Sequence, residues 1–446
     1  MNLLIECGTI ITATKKGVMR NSAIAIEDDK IVEVGKISTL RPRYRRSEKI
    51  NARNKVVLPG LINTHHHAAM SLLRGYADDL DLKTWLEKRI WPIEKHMTGS
   101  DIYAGALLTA IESIMGGTTT VNTMYHFTSQ YNEAQAFAKA GLRGVVGHVC
   151  FSWRKKHDRK ALQALTRRWH GQKNGLIRAS VDPHAPYTVD PDYMKELRAY
   201  THELSAKYAS PEMPVIWHTH VAETLDEQEK IEQAFKISAK GGVVAYLDTL
   251  NVLRSNIVAA HCVHLTKRDI QILKEKKLKV AHSPISNLKL ASGVSPVPQL
   301  LKEGVTVGLG TDSSCSNNSS DMFEVMKVTA LLHKGISGDP TELSAEQVLR
   351  MATIDGAKTL SWDKEIGSIE AGKKADLAIV DFRKPHLRPV YNEQSHIVYA
   401  AKSSDVDTVI INGKVVMENR EIKTVNVDRT MAQVEKTKRN LLERAK

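Results

Sequence analysis

Short runs of alternating hydrophobic and polar residues occupy both ends of the chain. The early runs are separated by turn residues such as Asp28-Asp29 and cover Leu3–Thr12, Ser22–Ile26 and Lys30–Val34. The late runs contain an Asn-Gly turn and cover Ala375–Asp381, Thr408–Asn412 and Gly413–Glu418. A period of two residues is typical of a strand with one buried face, and Asn-Gly is typical of a hairpin turn. We therefore predict one small antiparallel β domain that both termini build around a large inserted domain.

The inserted domain alternates apolar β-type runs with longer amphipathic segments. Eight β-type runs can be counted: Val56–Asn63, Thr118–Thr123, Leu142–Val149, Gly175–Val181, Pro214–His218, Asn256–Ala260, Leu278–Ala281 and Val305–Gly310. The helical segments are Asp101–Met115, Tyr131–Ala140, Pro191–Tyr208, Glu223–Ala239, Lys267–Lys276 and Asp321–His333. Eight β/α units predict a TIM-type barrel, in which the chemistry lies at the C-terminal ends of the strands.

Ionisable side chains recur at the ends of four predicted barrel strands. The first strand is followed by His65 and His67, which are two residues apart and therefore point the same way on an extended segment. The other three strand ends carry His220, His261 and Asp312. Because strand ends converge on one face of a barrel, we expect these side chains to meet. Imidazoles together with one carboxylate indicate a site for a divalent metal ion.

A metal ion of this kind lowers the pKa of its bound water, and the reaction then needs a proton carrier that is not itself a ligand. Glu223 is the candidate, since it lies three residues after His220. The same residue would also suit the exposed first turn of a helix. His261 is either a further imidazole ligand or a group that polarises the attacking water, and the sequence leaves both roles open.

Composition places the chain among ordinary globular proteins, with 42% hydrophobic residues and a net charge of +13. This charge could attract nucleic acid through Arg41–Arg46 and Arg154–Lys156, but both runs are short, and we interpret them as solvated basic surface. The four cysteines form no Cys-x-x-Cys pair, which argues against a disulfide framework. The N-terminus lacks the features of a signal peptide, and no apolar stretch reaches the ~18 residues of a membrane span. We expect a soluble, cytoplasmic protein with no membrane partner.

The motifs resemble, in order along the chain, those of the metal-dependent amidohydrolase superfamily. Within it, they are similar to the branch of methylthioadenosine/S-adenosylhomocysteine deaminases and triazine hydrolases. The residues that carry this resemblance are Val57–His67, Trp91–Glu94, Gly117–Thr119, Pro183–Tyr187, His220–Thr224, Ala260–Cys262, His282–Asn287, Gly310–Asp312, Ser316–Asn318 and Gly367–Leu377. The resemblance therefore extends over nearly the whole chain.

Pattern and resemblance together predict an α/β fold, a (β/α)8 TIM-type barrel with a small β-sandwich domain formed from both termini. The expected domains are 1–55 plus 366–423 for the small β domain, 56–365 for the barrel and 424–446 for a C-terminal helix. That last stretch is charged and helix-prone, and its apolar stripe of Met431, Val434 and Leu441 predicts packing on the surface or on a second subunit.

The resemblance also implies a role for individual positions. The metal ligands would be His65, His67, His220 and Asp312, which would hold one ion, with zinc expected and iron or manganese as alternatives. Glu223 and His261 would serve the proton transfers, and Asp312 could act as a base on the bound water.

In the deaminase branch, three further positions match residues that surround the substrate. Glu94 matches a carboxylate that binds ribose hydroxyls, His184 matches a histidine that hydrogen-bonds the heterocycle, and Ser316 matches a pocket-lining serine.

The sequence departs from the branch where some members recognise an amino-acid tail. His148 stands where those members have an arginine that contacts the substrate, which makes His148 a candidate substrate contact here. The following loop, 151–156, replaces one that carries a second arginine, and only Arg154 could substitute for it. Smaller departures are His66 inside the His-x-His motif and Ser313 after the metal-binding aspartate.

The predicted function is hydrolytic deamination of an aminated N-heterocycle by metal-activated hydroxide. Nucleosides of the adenosine, 5′-methylthioadenosine and S-adenosylhomocysteine type are the expected substrates. The alternatives are deamination of a free base such as guanine, triazine hydrolysis, or a non-enzymatic barrel that binds partners through its basic surface. The His-x-Glu and Pro-Cys-x-x-Cys motifs of enzymes that deaminate bases within polynucleotides are missing, so nucleic acid is not an expected partner. A homo-oligomer is expected.

Overall fold

Two eight-stranded sheets organise the chain in a computed structural model that describes residues 2–446. The first four strands belong to the terminal sheet: β1 Asn2–Ile11, β2 Val18–Glu27, β3 Lys30–Lys36 and β4 Glu48–Pro59. The next eight form the barrel: β5 Leu61–His66, β6 Thr118–Tyr125, β7 Arg143–Cys150, β8 Ile177–Pro183, β9 Ile216–Val221, β10 Ile257–His261, β11 Lys279–His282 and β12 Thr306–Leu309. The last four return to the terminal sheet: β13 Leu377–Asp381, β14 Val406–Ile411, β15 Lys414–Glu418 and β16 Glu421–Ile422.

The barrel sheet is parallel, and each strand pairs with the next along the chain from β5 to β12. Contacts between β12 and β5 bring its two edges together. The Thr64 hydroxyl donates a hydrogen bond to the Leu309 carbonyl at 2.9 Å, and the Asp312 amide donates to the His65 carbonyl at 3.0 Å. The predicted TIM-type barrel is therefore confirmed. Strands β5 to β10 are buried along their whole length, as is typical of parallel strands that are covered on both faces.

Most of the helices surround the barrel and follow its strands, while the first one packs on the terminal sheet. They are α1 Ile37–Arg43, α2 Leu82–Thr84, α3 Trp91–Glu94, α4 Gly99–Met115, α5 Glu133–Ala140, α6 Lys155–Trp169, α7 Gln172–Gly175, α8 Pro191–Tyr208, α9 Glu227–Phe235, α10 Val243–Thr249, α11 Lys267–Glu275, α12 Pro284–Lys289, α13 Val297–Lys302, α14 Met322–Ser337, α15 Ala345–Met351, α16 Ile354–Thr359, α17 Glu393–Tyr399 and α18 Val427–Arg444. Four 3-10 turns at Ala68–Leu73, Ser152–Arg154, Pro385–Leu387 and Ser403–Asp405, and a π-helical turn at Trp85–Ile90, complete the set.

The terminal sheet has the strand order β16-β15-β14-β13-β4-β1-β2-β3. It is mixed rather than antiparallel, because β1 pairs in parallel with β4. A parallel pair needs a crossover, and the segment that contains α1 provides it. The prediction of a purely antiparallel terminal domain is therefore wrong for this pair.

The predicted first barrel strand, Val56–Asn63, is divided between the two sheets. The chain changes sheet at Gly60, whose amide donates to the Asp376 carbonyl at 2.9 Å. A Cβ atom at Gly60 would lie 2.1 Å from the Thr119 hydroxyl oxygen, so the close approach requires glycine. The apolar run continues across this point, and hydrophobic pattern alone could not locate it. The domain boundaries themselves stay a prediction.

The C-terminal helix α18 packs against α4. Its buried side chains include Val434 and Leu441, while Met431 is about half exposed. Arg444 forms an ion pair with Asp101 in the first turn of α4. The predicted apolar stripe therefore faces the barrel layer through two of its three members. No helix within residues 2–446 has the length and apolar character needed to cross a membrane.

A buried ion pair joins the barrel to the terminal sheet. Arg143, at the start of β7, places Nε 2.6 Å from Asp376 Oδ2 and Nη2 3.0 Å from Asp376 Oδ1. The same carboxylate accepts the Asn412 amide at 2.7 Å, and both ionic side chains are almost fully buried. A bidentate guanidinium-carboxylate pair has a fixed geometry, so it sets the position of β13 against the end of the barrel.

We expect Asp376→Ala to lower the free energy of unfolding by about 3–5 kcal/mol, because it leaves the Arg143 charge buried without its partner. Urea denaturation measures this change. Glu303→Ala, which breaks an exposed pair with Lys274, is the control and should cost no more than about 1 kcal/mol. Equal effects of the two substitutions would show that the buried pair does not hold the sheets together.

Candidate active site

The candidate site lies where the C-terminal ends of the barrel strands meet. His65 lies on β5 and His67 directly after it, His220 lies on β9, His261 ends β10, and Asp312 follows β12. All five line or underlie one cavity, and none is exposed. Each of these strands is buried inside the barrel, which fixes the position of its C-terminal end. The polar side chains of the site lie at that end or directly after it.

Their metal-binding atoms are close together. Nε2 of His65 and Nε2 of His67 each lie 3.3 Å from Asp312 Oδ1. Nε2 of His220 lies 3.2 Å from Nε2 of His67. Candidate donor atoms from His65, His220 and His261 also lie within 4.8 Å of one another. Three imidazoles and one carboxylate oxygen thus surround a single point.

Hydrogen bonds behind the rings determine which nitrogen faces the cavity. His67 Nδ1 lies 2.8 Å from the Met124 carbonyl, and His220 Nδ1 lies 2.6 Å from the His184 carbonyl. A carbonyl only accepts, so each Nδ1 is the donor and each neutral ring turns its Nε2 lone pair inward. Two lone pairs 3.2 Å apart repel unless a cation or proton lies between them. The donor set therefore fits a divalent metal ion.

The electrostatics of the pocket agree with this fit. Burial lowers the pKa of His65 to about 3 and holds the pKa of His220 well below its ordinary value, so both rings are neutral. Burial also lowers the pKa of His67, but Asp312 outweighs it and the net pKa is raised. The proton that His67 would hold beside Asp312 is the one that a bound cation would displace.

Asp312 is held by hydroxyl groups on its far oxygen. Ser286 and Ser316 donate to Oδ2 at 2.6 Å and 2.9 Å, which leaves Oδ1 facing the imidazoles. Ser286 lies on α12, and so does Asn287, whose Oδ1 lies 2.8 Å from His261 Nδ1. One short helix after β11 thus orients both the aspartate and the histidine.

Glu223 lines the cavity and is buried at 5% exposure, just after β9. Its Oε1 lies 3.7 Å from His261 Nε2, and its amide donates to Glu227 Oε2 at 2.8 Å. Burial raises the pKa of Glu223 above its ordinary value. The predicted helix that was to begin at Glu223 begins at Glu227 instead, so Glu223 is free of helix geometry and points into the pocket. A buried carboxyl with a raised pKa can both donate and accept a proton.

The cavity has an inner and an outer chamber. The inner chamber holds the candidate metal ligands and an apolar wall formed by Leu82, Trp85, Leu86, Ile90, Trp91 and Tyr187. The outer chamber is lined in addition by Lys95, Met97, Ile102, Thr128, Trp153 and Arg154. Both chambers share Glu94, Tyr125 and His126, among others, so Glu94 lies at their junction.

Two predicted substrate contacts lie in this cavity. Glu94 faces both chambers, and burial raises the pKa of its carboxyl. His184 lines the inner chamber, with Nδ1 3.0 Å from the Thr188 hydroxyl and its ring stacked on Phe151 at 4.7 Å. Both side chains therefore line the cavity, as expected for substrate contacts.

The other two predicted substrate contacts do not reach the cavity. His148 is buried with both nitrogens occupied: the Phe127 amide donates to Nδ1 at 3.0 Å, and Nε2 lies 3.1 Å from Asp158 Oδ1. Ser316 holds Asp312 and is not part of the lining. The interpretation of His148 and Ser316 as direct substrate contacts is corrected by these bonds, which turn both side chains toward the protein.

The cluster of His148, Cys150 and Asp158 has metal-binding atom types within reach of one another. It is nevertheless a satisfied structural network, because Asp158 also accepts the Tyr193 hydroxyl at 2.9 Å. Burial raises the pKa of the Cys150 thiol well above its ordinary value. A protonated thiol beside fully bonded partners is not a ligand set.

Sequence analysis missed His126, which follows β6 and lines both chambers. Arg154 donates from Nη1 to His126 Nδ1 at 2.8 Å. The rule that chemistry follows barrel strands would have found His126, had it been applied to β6 as well. The apolar wall around Trp85 was missed because helical apolar residues carry no signal that separates a pocket wall from a core.

Comparison with known proteins gives consistent results. Residues 56–416 match the Amidohydrolase family. A 5-methylthioadenosine/S-adenosylhomocysteine deaminase of Thermoanaerobacter pseudethanolicus is 43% identical over 449 residues, covering 100% of both chains. A 5′-deoxyadenosine deaminase of Methanosarcina acetivorans is 40% identical over 433 residues, covering 96% of this chain and 95% of the relative.

Solved structures are similar along the whole length. An adenosine deaminase from Xanthomonas campestris with bound zinc superimposes with a TM-score of 0.90 at 31% identity, covering 99% of each chain. An atrazine chlorohydrolase from Arthrobacter aurescens, complexed with zinc, has a TM-score of 0.85 at 23% identity, covering 98% of this chain and 100% of the other. The second similarity concerns the fold alone.

Proposed function

From the premise that this chain belongs to the amidohydrolase family, we propose that it hydrolytically deaminates the adenine ring of a nucleoside. The observation that carries the proposal is the set of inward-facing imidazole nitrogens and Asp312 Oδ1 beside the buried carboxyl of Glu223. Full-length relatives named for methylthioadenosine, S-adenosylhomocysteine and 5′-deoxyadenosine support the adenine nucleoside. The expected products are the inosine-type nucleoside and ammonia.

We assign His65, His67, His220 and Asp312 to one divalent metal ion, and zinc is the proposed ion because the X. campestris structure contains it. When bound, such an ion supplies hydroxide at neutral pH by lowering the pKa of water. Asp312 can hold this arrangement through Oδ1 alone, since two serine hydroxyls already engage Oδ2.

Glu223 moves the proton in this proposal. Its raised pKa lets it deliver a proton to the ring nitrogen beside the amine-bearing carbon, which stabilises the tetrahedral arrangement at that carbon. His261 has its Nδ1 tied to Asn287, so Nε2 is directed at Glu223 and at the position of the attacking water. We therefore assign His261 to polarising that water. A proton then passes to the departing ammonia.

The two chambers suggest how a nucleoside is held. The heterocycle would occupy the inner chamber beside His184, and the ribose would meet Glu94 at the junction, with its 5′ substituent in the outer chamber. A free base would leave the half-buried carboxyl of Glu94 without the ribose hydroxyls, which disfavours guanine and triazines. In the outer chamber, Arg154 is already paired with His126, and His148 is directed away. We propose that adenosine and methylthioadenosine are better substrates than S-adenosylhomocysteine.

The metal assignment predicts that one zinc ion per chain copurifies and that His67→Ala or Asp312→Ala loses most of it, because each removes a ligand atom. Elemental analysis of the purified protein measures the content. His170→Gln, at a buried histidine bonded to Met213 and Ala179 far from the cavity, is the control and should keep the metal. Full metal content in both ligand variants would falsify the assignment.

We expect Glu223→Gln to fold and retain its metal but to lower kcat by at least ~100-fold, because an amide cannot transfer the proton. Steady-state kinetics with adenosine measure the loss. Glu229→Gln, at an exposed position of α9, is the matched control and should have normal kcat. If Glu223→Gln kept near-normal turnover, the proton transfer would have to be assigned to another residue.

A pure-enzyme assay that follows the loss of adenine absorbance tests the substrate. Adenosine should be deaminated with a higher kcat/KM than its 2′,3′-dideoxy analogue by about 5- to 150-fold, the equivalent of roughly 1–3 kcal/mol for a carboxylate that loses its ribose hydrogen bonds. Glu94→Ala should remove this preference. Turnover of guanine or a triazine without any turnover of adenine nucleosides would overturn the nucleoside assignment and leave the metal chemistry intact.

A further inference from the structure

His65 differs from the neighbouring histidines in what lies behind it. His67 and His220 are each fixed by a backbone carbonyl. His65 Nδ1 instead lies 2.8 Å from Nε2 of another histidine, His218, and both rings are fully buried. A carbonyl can only accept a hydrogen bond. Between two imidazole nitrogens, either one can be the donor and the other the acceptor. The tautomer of His65 therefore depends on His218.

The proton arrangement follows once His65 Nε2 is a metal ligand, an assumption that rests on the proposed function. The proton of His65 must then be on Nδ1, and it is donated to His218 Nε2. The neutral His218 ring accordingly has its own proton on Nδ1. That nitrogen faces the carboxyl group of Asp182, at 3.9 Å from Oδ2.

Asp182 lies on β8 in the barrel interior and has no role in the proposed reaction. Both of its carboxyl oxygens and His218 Nδ1 are buried and have no hydrogen-bond partner within residues 2–446. Gly147 on β7 provides the necessary space, since a Cβ atom there would lie 1.5 Å from Asp182 Oδ2. A buried polar pair in a barrel core costs stability unless it is satisfied, so its presence needs an explanation.

We propose that His218 and Asp182 are positioning residues that fix His65 in the Nδ1-H tautomer and so hold its Nε2 lone pair ready for the metal ion. The chain of groups runs from Asp182 through His218 to His65 across three barrel strands, β8, β9 and β5. Partners behind a ligating histidine of this kind orient the ring and increase its basicity as a ligand. Metal affinity, rather than fold stability, is the property that this chain of groups controls.

The test measures the affinity of the purified full-length chain for Zn²⁺ alone, by competition with a chelator. His218→Phe removes the acceptor for His65 and should weaken Zn²⁺ binding by ~10- to 100-fold. His218→Gln keeps an acceptor oxygen near the same place and should restore most of the affinity. Asp182→Ala should weaken binding in the same direction, and Asp182→Asn should weaken it less. His170→Phe, at a buried histidine outside the barrel interior, should leave Zn²⁺ affinity unchanged.

A merely structural role is distinguished by a second measurement on the metal-free proteins. The unfolding midpoint of metal-free Asp182→Ala should stay close to the wild-type value, because the Asp182 carboxyl has no hydrogen-bond partner within residues 2–446. His218→Phe also breaks the 2.8 Å hydrogen bond to His65, so its midpoint is compared with that of His218→Gln, which keeps an acceptor. In the Zn²⁺-loaded wild type, the Nδ1 proton of His65 should give a downfield imidazole NMR resonance that is absent in His218→Phe.

The outcomes separate this inference from the proposed function. Failure of the wild type to bind Zn²⁺, or full metal content in both His67→Ala and Asp312→Ala, would overturn the ligand assignment and the inference with it. Normal Zn²⁺ affinity in both His218→Phe and Asp182→Ala, with a metal-binding wild type, would overturn only the positioning role. If His218→Phe does not fold, the comparison of Asp182→Ala with Asp182→Asn decides the same question.

Discussion

Closure of the barrel between β5 and β12 is the constraint on which the site depends. The seam is built from polar side chains as well as backbone: Asn63 donates to the Thr311 hydroxyl at 2.7 Å, and the Thr311 amide donates back to Asn63 at 3.1 Å. Directly above it, the Asp312 amide donates to the His65 carbonyl. Two residues from opposite ends of the barrel sequence thus become neighbours. Without this closure, the histidines of β5 would face an open sheet edge, and the aspartate would have no partner.

The same constraint explains the protonation states in the pocket. Burial favours the neutral form of His65 and His220, whereas the neighbouring Asp312 raises the pKa of His67. Fixed acceptors behind the rings then choose the nitrogen that faces inward, and serine hydroxyls make the corresponding choice for Asp312. The lone pairs are oriented before any ligand arrives. Donor atoms that are already oriented in this way lower the energetic cost of binding a cation.

The walls of the substrate cavity are formed by other elements than those that carry the candidate metal ligands. Loops and short helices after β5, β6, β7, β8 and β11 build the two chambers, while residues at the ends of β5, β9, β10 and β12 build the candidate metal-binding floor. Proteins with one fold can keep the strands and change the loops that line the pocket; the two similar solved structures share the fold, and one is named an adenosine deaminase and the other an atrazine chlorohydrolase. In this chain, the paired side chains of Arg154 and His126 line the outer chamber, while His148 is bonded to Asp158 and does not reach it.

The sequence alone determined the barrel and the residues that gather at its centre. Long apolar runs are local signals of buried strands, and a polar side chain at the end of such a run can only lie at the rim. His65, His67, His220, His261, Glu223 and Asp312 were found in this way, and all of them lie together in the structure.

Only the tertiary structure decided which way the remaining side chains point. In the sequence, His148 and Ser316 stand near strand ends, as the site residues do. In the structure, His148 bonds Asp158 and Ser316 donates to Asp312, so neither side chain faces the cavity. The parallel pairing of β1 with β4, the change of sheet at Gly60 and the Arg143-Asp376 link likewise join segments that are distant along the chain. Periodicity records whether a residue is buried, because burial follows from local alternation. It does not show which residue that side chain contacts. Such contacts depend on how elements distant along the chain pack together, and no local pattern encodes that packing.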